Sequence, residues 1–202
     1  MTEEEAQGWF RERYVSRETA CFRFAQMVAA EQHHQNLVSP SSLPLIWSRH
    51  IVDSAQLLDH APDDGLWVDI GSGAGFPGMI VALLSDRPVV LIEPRRKRAE
   101  FLRCAVVELG LDSRVSVHAA KAETVELKAA VISARAVAPL PELLAVAAPL
   151  STANTRLILP KGRSAREEVA AARRSWHGVF HVEPSITDAD SLIIIARGVK
   201  RR

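Results

Sequence analysis

Gly71-Ser72-Gly73-Ala74-Gly75 follows a short apolar run, Leu66 to Ile70, and precedes a helical pattern from about Pro77 to Ser85. Glycines at such a junction let the backbone turn sharply and approach a ligand without side-chain collision, so strand, turn and helix together make a nucleotide site. Two chemistries fit it. Gly71 to Gly75 reads GxGxG, the form that binds S-adenosyl-L-methionine, whereas Gly73 to Gly78 reads GxGxxG, a dinucleotide fingerprint. Flanking acids separate them in part. Asp69, at the end of the strand, can attract the ammonium of a methionine moiety, directly or through water, and would repel a pyrophosphate. Glu93 ends the next strand, placed to hold two ribose hydroxyls in either cofactor. Ala122-Glu123 lies beyond a third strand, where class I methyltransferases hold the adenine.

The residues after the fourth strand bear on what is methylated. Exocyclic-amine enzymes carry an Asp/Asn-Pro-Pro-aromatic turn there, and C5-cytosine enzymes need a nucleophilic cysteine. This chain has Ser133-Ala134-Arg135-Ala136, with its cysteines elsewhere. A guanine N7 fits what remains, because its lone pair is free at neutral pH and needs no general base; catalysis reduces to in-line positioning in a dry site. Arg135 or Lys161 is expected as the cationic donor at the purine O6 edge. RNA contact is expected from basic residues at the same rim: Arg49, His50, Lys161, Arg163 and Arg166. The run Arg95-Arg96-Lys97-Arg98 is more conspicuous, but it opens a helix beside the adenosine pocket and reads as a solvated face. Lys200-Arg201-Arg202 is either a phosphate contact or a frayed tail.

The elements that must position these residues alternate. Residues 3 to 32 carry apolar side chains at helical spacing, giving one or two amphipathic helices. Asn36 to Ser42 is a loop, Leu43 to His60 reads as one helix with Leu45, Ile46, Ile51, Ala55 and Leu58 on its apolar face, and Pro62 to Gly65 is a turn. Strands are expected at Leu66–Ile70, Pro88–Glu93, Arg114–His118, Ala129–Ala134 and Arg156–Leu159. Helices at Arg95–Leu109, Leu140–Ala148 and Ala165–Ser175 lie between or after them, the first closed by Gly110. Repeated strand–helix units imply a mostly parallel α/β sheet covered on both faces. Val179–Glu183 and Leu192–Ala196 are joined by too short a linker for a crossover and must form a hairpin. A parallel sheet ending in an antiparallel hairpin is the Rossmann-like class I methyltransferase arrangement. Residues 1–61 are expected as a helical region packed on a methyltransferase domain of residues 62–202.

Composition bounds the class. The chain has 202 residues, 48% hydrophobic and 24% charged, as in an ordinary globular protein. Its net charge of +1, from 25 basic and 24 acidic residues, argues against a protein that coats nucleic acid, though not against an enzyme with basic residues around one mouth. No apolar run approaches a membrane span and the acidic start is unlike a signal peptide, so a cytoplasmic monomer is expected. Cys21 and Cys104 read as buried thiols, and the scattered histidines have no metal-ligand spacing, so no metal is expected.

Taken together the motifs resemble the bacterial RsmG (GidB) family, small-subunit rRNA methyltransferases that modify a guanine N7 of 16S rRNA. Asn36-Leu37 is similar to the family's Asn-Leu-Thr segment, and Arg49-His50-Ile51-Val52-Asp53-Ser54 to its Arg-His-Ile-x-Asp-Ser helix. Asp69 to Gly78, with Phe76-Pro77-Gly78, resembles its long glycine turn. Arg135-Ala136-Val137-Ala138 resembles its Arg-Ala-x-Ala segment, and Lys161-Gly162 its Leu-Lys-Gly strand end. The resemblance implies cofactor contacts at Gly71, Phe76, Ala122, Glu123 and Arg135, a place near the target base for Arg135 and Lys161, and 16S rRNA or the small subunit as partner. Two departures stand out: Pro160 before Lys161 in place of an aliphatic residue, and Glu93-Pro94 in place of the commoner Asp-Ser. The rival readings are an NAD(P)-dependent oxidoreductase, which lacks a Tyr-x-x-x-Lys pair since Tyr14 is the only tyrosine, and a non-catalytic ribosome-assembly factor.

Overall fold

A computed structural model describes residues 1–202. Seven strands form one sheet: β1 (Trp67–Ile70), β2 (Val89–Ile92), β3 (Val115–His118), β4 (Val131–Ala134), β5 (Arg156–Lys161), β6 (Trp176–Pro184) and β7 (Leu192–Arg201). Their spatial order is β3-β2-β1-β4-β5-β7-β6. The first five are parallel, and β7 enters antiparallel between β5 and β6. The expected hairpin is present but longer than the sequence pattern indicated, because β6 and β7 pair on beyond the start of β5. The basic C-terminus is no frayed tail: Arg201 is in register with Trp176.

Strand pleating sends alternate side chains to opposite faces, and both faces are covered. One buries Trp67, Leu91 and Ile158 against α1 (Glu3–Tyr14), α2 (Glu18–Glu31), α4 (Gly78–Leu84) and α5 (Arg96–Glu108), so the N-terminal helices share this core with the sheet. The other buries Val68, Ile132 and Leu157 against α6 (Leu140–Ala147) and α7 (Ala165–Ala172). Thr2 and Glu5 cap α1 reciprocally: the Thr2 hydroxyl accepts the Glu5 N–H and the Glu5 carboxylate accepts the Thr2 N–H, satisfying two end donors.

The segment 43–60 corrects the expected single helix. It is a 3-10 turn at Leu43–Leu45, a π-helix at Trp47–Val52, one α turn, α3 (Asp53–Ala55), and a 3-10 stretch at Gln56–His60. Leu45 is exposed and Leu58 half-buried, while Trp47, Val52 and Leu57 join the core. A segment packed against α1 on one side and α4 on another buries more than one stripe, which a fixed 3.6-residue period does not detect. Glu3 anchors it, its carboxylate accepting the Trp47 and Ser48 N–H groups at 2.7 and 3.0 Å and the Ser48 hydroxyl at 2.9 Å. Cys21 is buried as expected, its thiol pushed up to about 12 by burial. Cys104 is exposed, since α5 turns Phe101, Leu102, Ala105 and Val106 inward and residue 104 falls outside that stripe.

Candidate functional site

The site sits at the carboxyl ends of the strands, where open α/β sheets bind ligands. Gly71 and Ser72 donate their N–H groups to the Ile92 carbonyl, fastening the turn to β2. The Glu93 carboxylate accepts the Gly73 N–H at 2.9 Å and the Arg95 N–H at 2.8 Å. It is buried, and its first task is thus to pin the glycine turn. An ionised carboxylate has about four acceptor sites, so capacity remains for ribose hydroxyls. At Gly78 a β-carbon would stand 2.8 Å from the Asp69 side chain and closer still to Leu91, so only glycine lets α4 start there.

Asp69 is placed differently from expectation. It lies wholly buried beneath the turn rather than open to a ligand's ammonium. Trp67 Nε1–H donates to Ser133 Oγ at 2.7 Å, and Ser133 donates to Asp69 Oδ1 at 2.7 Å. Oδ2 accepts the Gly78 N–H at 3.2 Å. Burial pushes the carboxyl up to about 6, against the opposing hydrogen bonds from Ser133, Ser72 and Gly78 and the Arg135 charge. Any pull on a methionine ammonium therefore passes through the turn. Ser133 was not singled out in the sequence, although parallel β1–β4 pairing sets it opposite Asp69.

Arg135 leaves β4 and reaches the π-helix. Its Nη1 donates to the Arg49 carbonyl at 3.0 Å and to Asp53 Oδ2 at 3.1 Å, and its Nη2 to His50 Nδ1 at 2.7 Å. A guanidinium has no acceptor, so His50 Nδ1 is unprotonated and Nε2–H faces Ser42 Oγ at 3.0 Å. Burial, then the Arg135 and Arg49 charges, bring His50 down to about 3. His50 is therefore neutral, buried and committed to Arg135; the expected outward RNA contact is corrected to an inner support. Phe76 is buried too. Its ring lies between Phe24 and His50, the latter stacked at 4.9 Å and 26°, with the Arg135 guanidinium 5.5 Å from its centroid. It serves as a floor for Arg135, its ring packed into the core rather than open to a ligand.

On the far wall Lys161 donates to the Ala138 carbonyl at 2.7 Å and to Glu168 Oε2 at 2.8 Å. Burial raises the Glu168 carboxyl, but hydrogen bonds from Lys161, the Leu140 N–H and Ser164 outweigh it and hold the group below its ordinary value. A cleft of about 670 Å³ lies between these walls, bounded by Arg49, His50, Asp53, Arg135–Pro139, Pro160–Gly162, Glu168 and Thr187 with Ser39 and Ser42. Pro160 and Lys161 stay in register with Ile193 and Leu192 of β7, so the proline leaves the strand end paired. Val137 leans over Gly71, 2.7 Å from where a β-carbon would be.

The remaining expected residues are dispersed. Arg49 pairs with Asp188 at 2.6 Å and exposed Arg163 with Asp190 at 2.7 Å, while Arg166 is exposed on α7. Ala122 is buried and Glu123 exposed on a 3-10 turn, Ala122–Thr124, after β3. Sequence reading missed Glu168 and Asp188, partners from the helix after β5 and the β6–β7 connection, for which no local spacing gives a signal.

The strand order, with β7 antiparallel beside β5, and a glycine turn pinned by an acid at the end of β2, define a class I S-adenosylmethionine-dependent methyltransferase. Solved structures share the fold: M. jannaschii TYW2 in complex with AdoMet (TM-score 0.57, 16% identity, 76% of each chain) and a predicted O-methyltransferase from Agrobacterium tumefaciens (TM-score 0.59, 20% identity, 73% of this chain and 80% of that one). The chain belongs to the rRNA small subunit methyltransferase G (GidB) family, which matches residues 17–189. It is 48% identical to the ribosomal RNA small subunit methyltransferase G of Sphingopyxis alaskensis, over 97% of this chain and 86% of that protein. It is 47% identical to that of Erythrobacter litoralis, over 98% and 97%.

Proposed function

We propose that this protein transfers a methyl group from S-adenosyl-L-methionine to N7 of a guanine in 16S rRNA, acting as a cytoplasmic monomer on the free rRNA or the small subunit. Membership of the methyltransferase G family over residues 17–189 carries the reading. The residues at the strand ends suit the cofactor: a side-chain-free turn at Gly73, where a β-carbon would meet Gly71 O and Arg98 Nη1 at 3.7 and 3.8 Å, acceptor capacity on Glu93 for the ribose and the small Ala122 beside the adenine place, with Glu123 at its rim. The cofactor supplies an electrophilic methyl on a sulfonium, and transfer to N7 moves positive charge onto the purine without releasing a proton. No base is required, and His50, already accepting from Arg135 and depressed to about 3, is no base at neutral pH.

Arg135 and Lys161 then orient the purine from opposite walls. Three of Arg135's five N–H donors and two of Lys161's three are spent on protein partners, leaving donors for O6. Their fixed partners pre-set the geometry, which is where a reaction needing only positioning gains its rate. Tritiated methyl transfer to small subunits from a strain lacking the enzyme, with nucleoside analysis, tests this: 7-methylguanosine in 16S rRNA is expected. Binding of NADH without S-adenosylhomocysteine in calorimetry would favour the oxidoreductase, and cofactor binding without incorporation would leave an assembly factor.

A further inference from the structure

Most of the cations expected at the base or on the RNA are ion-paired, Arg49 with Asp188, Arg135 with Asp53, Lys161 with Glu168 and Arg163 with Asp190, and Arg166 alone among them stands exposed and unpaired. A denser group of unpaired cations lies elsewhere on the same rim. Arg95, Arg96 and Lys97 are exposed and Arg98 half-buried, and no ion pair in the structure involves any of them. With Gln35 and Asn36 they enclose a shallow depression that has no hydrophobic lining residue. Four adjacent cations repel one another and gain nothing from one another's company unless an anion lies across them.

Three observations tie this depression to the cleft. Arg98 Nη2 donates to the Asn36 carbonyl at 2.7 Å, and Gln35 Nε2 reaches the Lys97 carbonyl at 3.3 Å, docking the loop after α2 against the basic run. The Gln32 side chain folds that loop by accepting from Leu37 and Val38 and donating to the Val38 carbonyl. A few residues on, the same loop supplies Ser39 and Ser42 to the catalytic cleft. The loop thus runs from the depression to the cleft along the strand ends. From β2 to β5 is three strand spacings, about 14 Å.

We propose that the Arg95–Arg98 depression, rather than the ion-paired arginines of the cleft, is the phosphate-binding surface that grips the single-stranded RNA backbone beside the target guanine. This rests on the rRNA reading above. The paired cations then fix the base, and the unpaired ones supply the salt-sensitive affinity that backbone contacts give. The composition agrees: with net charge near zero, attraction has to come from local unbalanced charge.

The test is an Arg96→Ala/Lys97→Ala double variant, whose side chains make no hydrogen bond or ion pair in the protein. A charge-matched control, Arg173→Ala/Arg174→Ala, sits by the start of β6, at the opposite end of the sheet from the cleft. Binding to small subunits lacking the methyl group is measured across salt concentrations, with kcat, KM for subunits and the Kd for S-adenosylhomocysteine. For the double variant, KM is expected to rise several-fold and the log K against log salt slope to become shallower by about 1.4, at about 0.7 per single-strand phosphate lost. The cofactor Kd, kcat and the melting temperature hold, and the control behaves as wild type. Unchanged KM and slope in the double variant, an equal loss in the control, or weakened S-adenosylhomocysteine binding would each overturn the assignment. A wild-type protein that neither binds nor methylates subunits would instead overturn the rRNA reading itself.

Discussion

Replacing Asp69 by asparagine should make the protein more stable at neutral pH while weakening its hold on the cofactor. Asp69 is wholly buried, and its carboxyl is raised from 3.8 to about 6. A group whose folded value is raised favours folding when protonated, so this contribution is fully present below the unfolded value and is lost as pH climbs through the folded one. The gap of roughly 2 units, at about 1.36 kcal/mol each, puts the cost of carrying the charge at about 3 kcal/mol at pH 7, falling to about 1.5 kcal/mol at pH 5. Asparagine keeps an acceptor for the Gly78 N–H but offers Ser133 a donor where it had an acceptor, a mismatch of about 1 kcal/mol. Asp69→Asn is therefore expected to gain about 2 kcal/mol at pH 7 and little at pH 5. Urea unfolding of both proteins at half-unit steps from pH 4.5 to 8, on matched two-state fits, measures the difference. Parallel stability profiles for the two proteins would refute the reasoning, because then the carboxylate carries no buried charge to remove.

His50 gives a second prediction: nuclear magnetic resonance should show a ring that does not titrate between pH 5 and 8, with a proton on Nε2, and titration near 6.5 would contradict its burial against Arg135. His50→Ala should lower kcat about 10-fold or more through misplacement of Arg135, with the S-adenosylhomocysteine Kd nearly unchanged; a pure cofactor-affinity loss would count against that role. Glu168→Gln removes the charge that Lys161, the Leu140 N–H and Ser164 all serve. It should cost about 1–2 kcal/mol in denaturant unfolding, and since the wild-type carboxyl is lowered, the cost should shrink as pH falls through the carboxylate range. Glu3→Ala uncaps the π-helix at Trp47 and Ser48; a loss of about 1–2 kcal/mol is expected, accompanied by lower kcat, and full activity would disconnect α1 from the site.

Local patterns were legible where one physical rule dominates. The glycine turn, the second strand, the α5 stripe and the terminal hairpin all follow from short-range periodicity and turn chemistry, although the strand stops at Ile92, one residue before Glu93, and the hairpin runs longer than expected. Segment 43–60 was not legible, because its conformation depends on Glu3 and Arg135 arriving from distant parts of the chain to satisfy its backbone groups. Residue type pointed to Arg135, Lys161 and Asp69, but their states did not follow from it. Asp69 is acidic in every reading; that it lies under the turn, accepting a hydrogen bond from Ser133, is a consequence of β1–β4 register. Likewise a histidine beside an arginine looks basic in sequence, and only burial against a second arginine makes it a neutral acceptor.

The pairing pattern divides the labour between the two basic regions. A cation that is paired and partly buried, as Arg135 and Lys161 are, has little charge left to attract RNA from a distance, but its direction is fixed. Such residues suit a reaction whose barrier falls through alignment of a guanine nitrogen with a methyl group. An exposed, unpaired cation such as Arg96 or Lys97 cannot aim a base, yet its field reaches about a Debye length, roughly 8 Å at physiological salt. Combining both tasks in one residue would sacrifice one of them: pairing that fixes orientation also screens the charge. Raising the salt should accordingly weaken subunit capture long before it alters turnover of captured subunits.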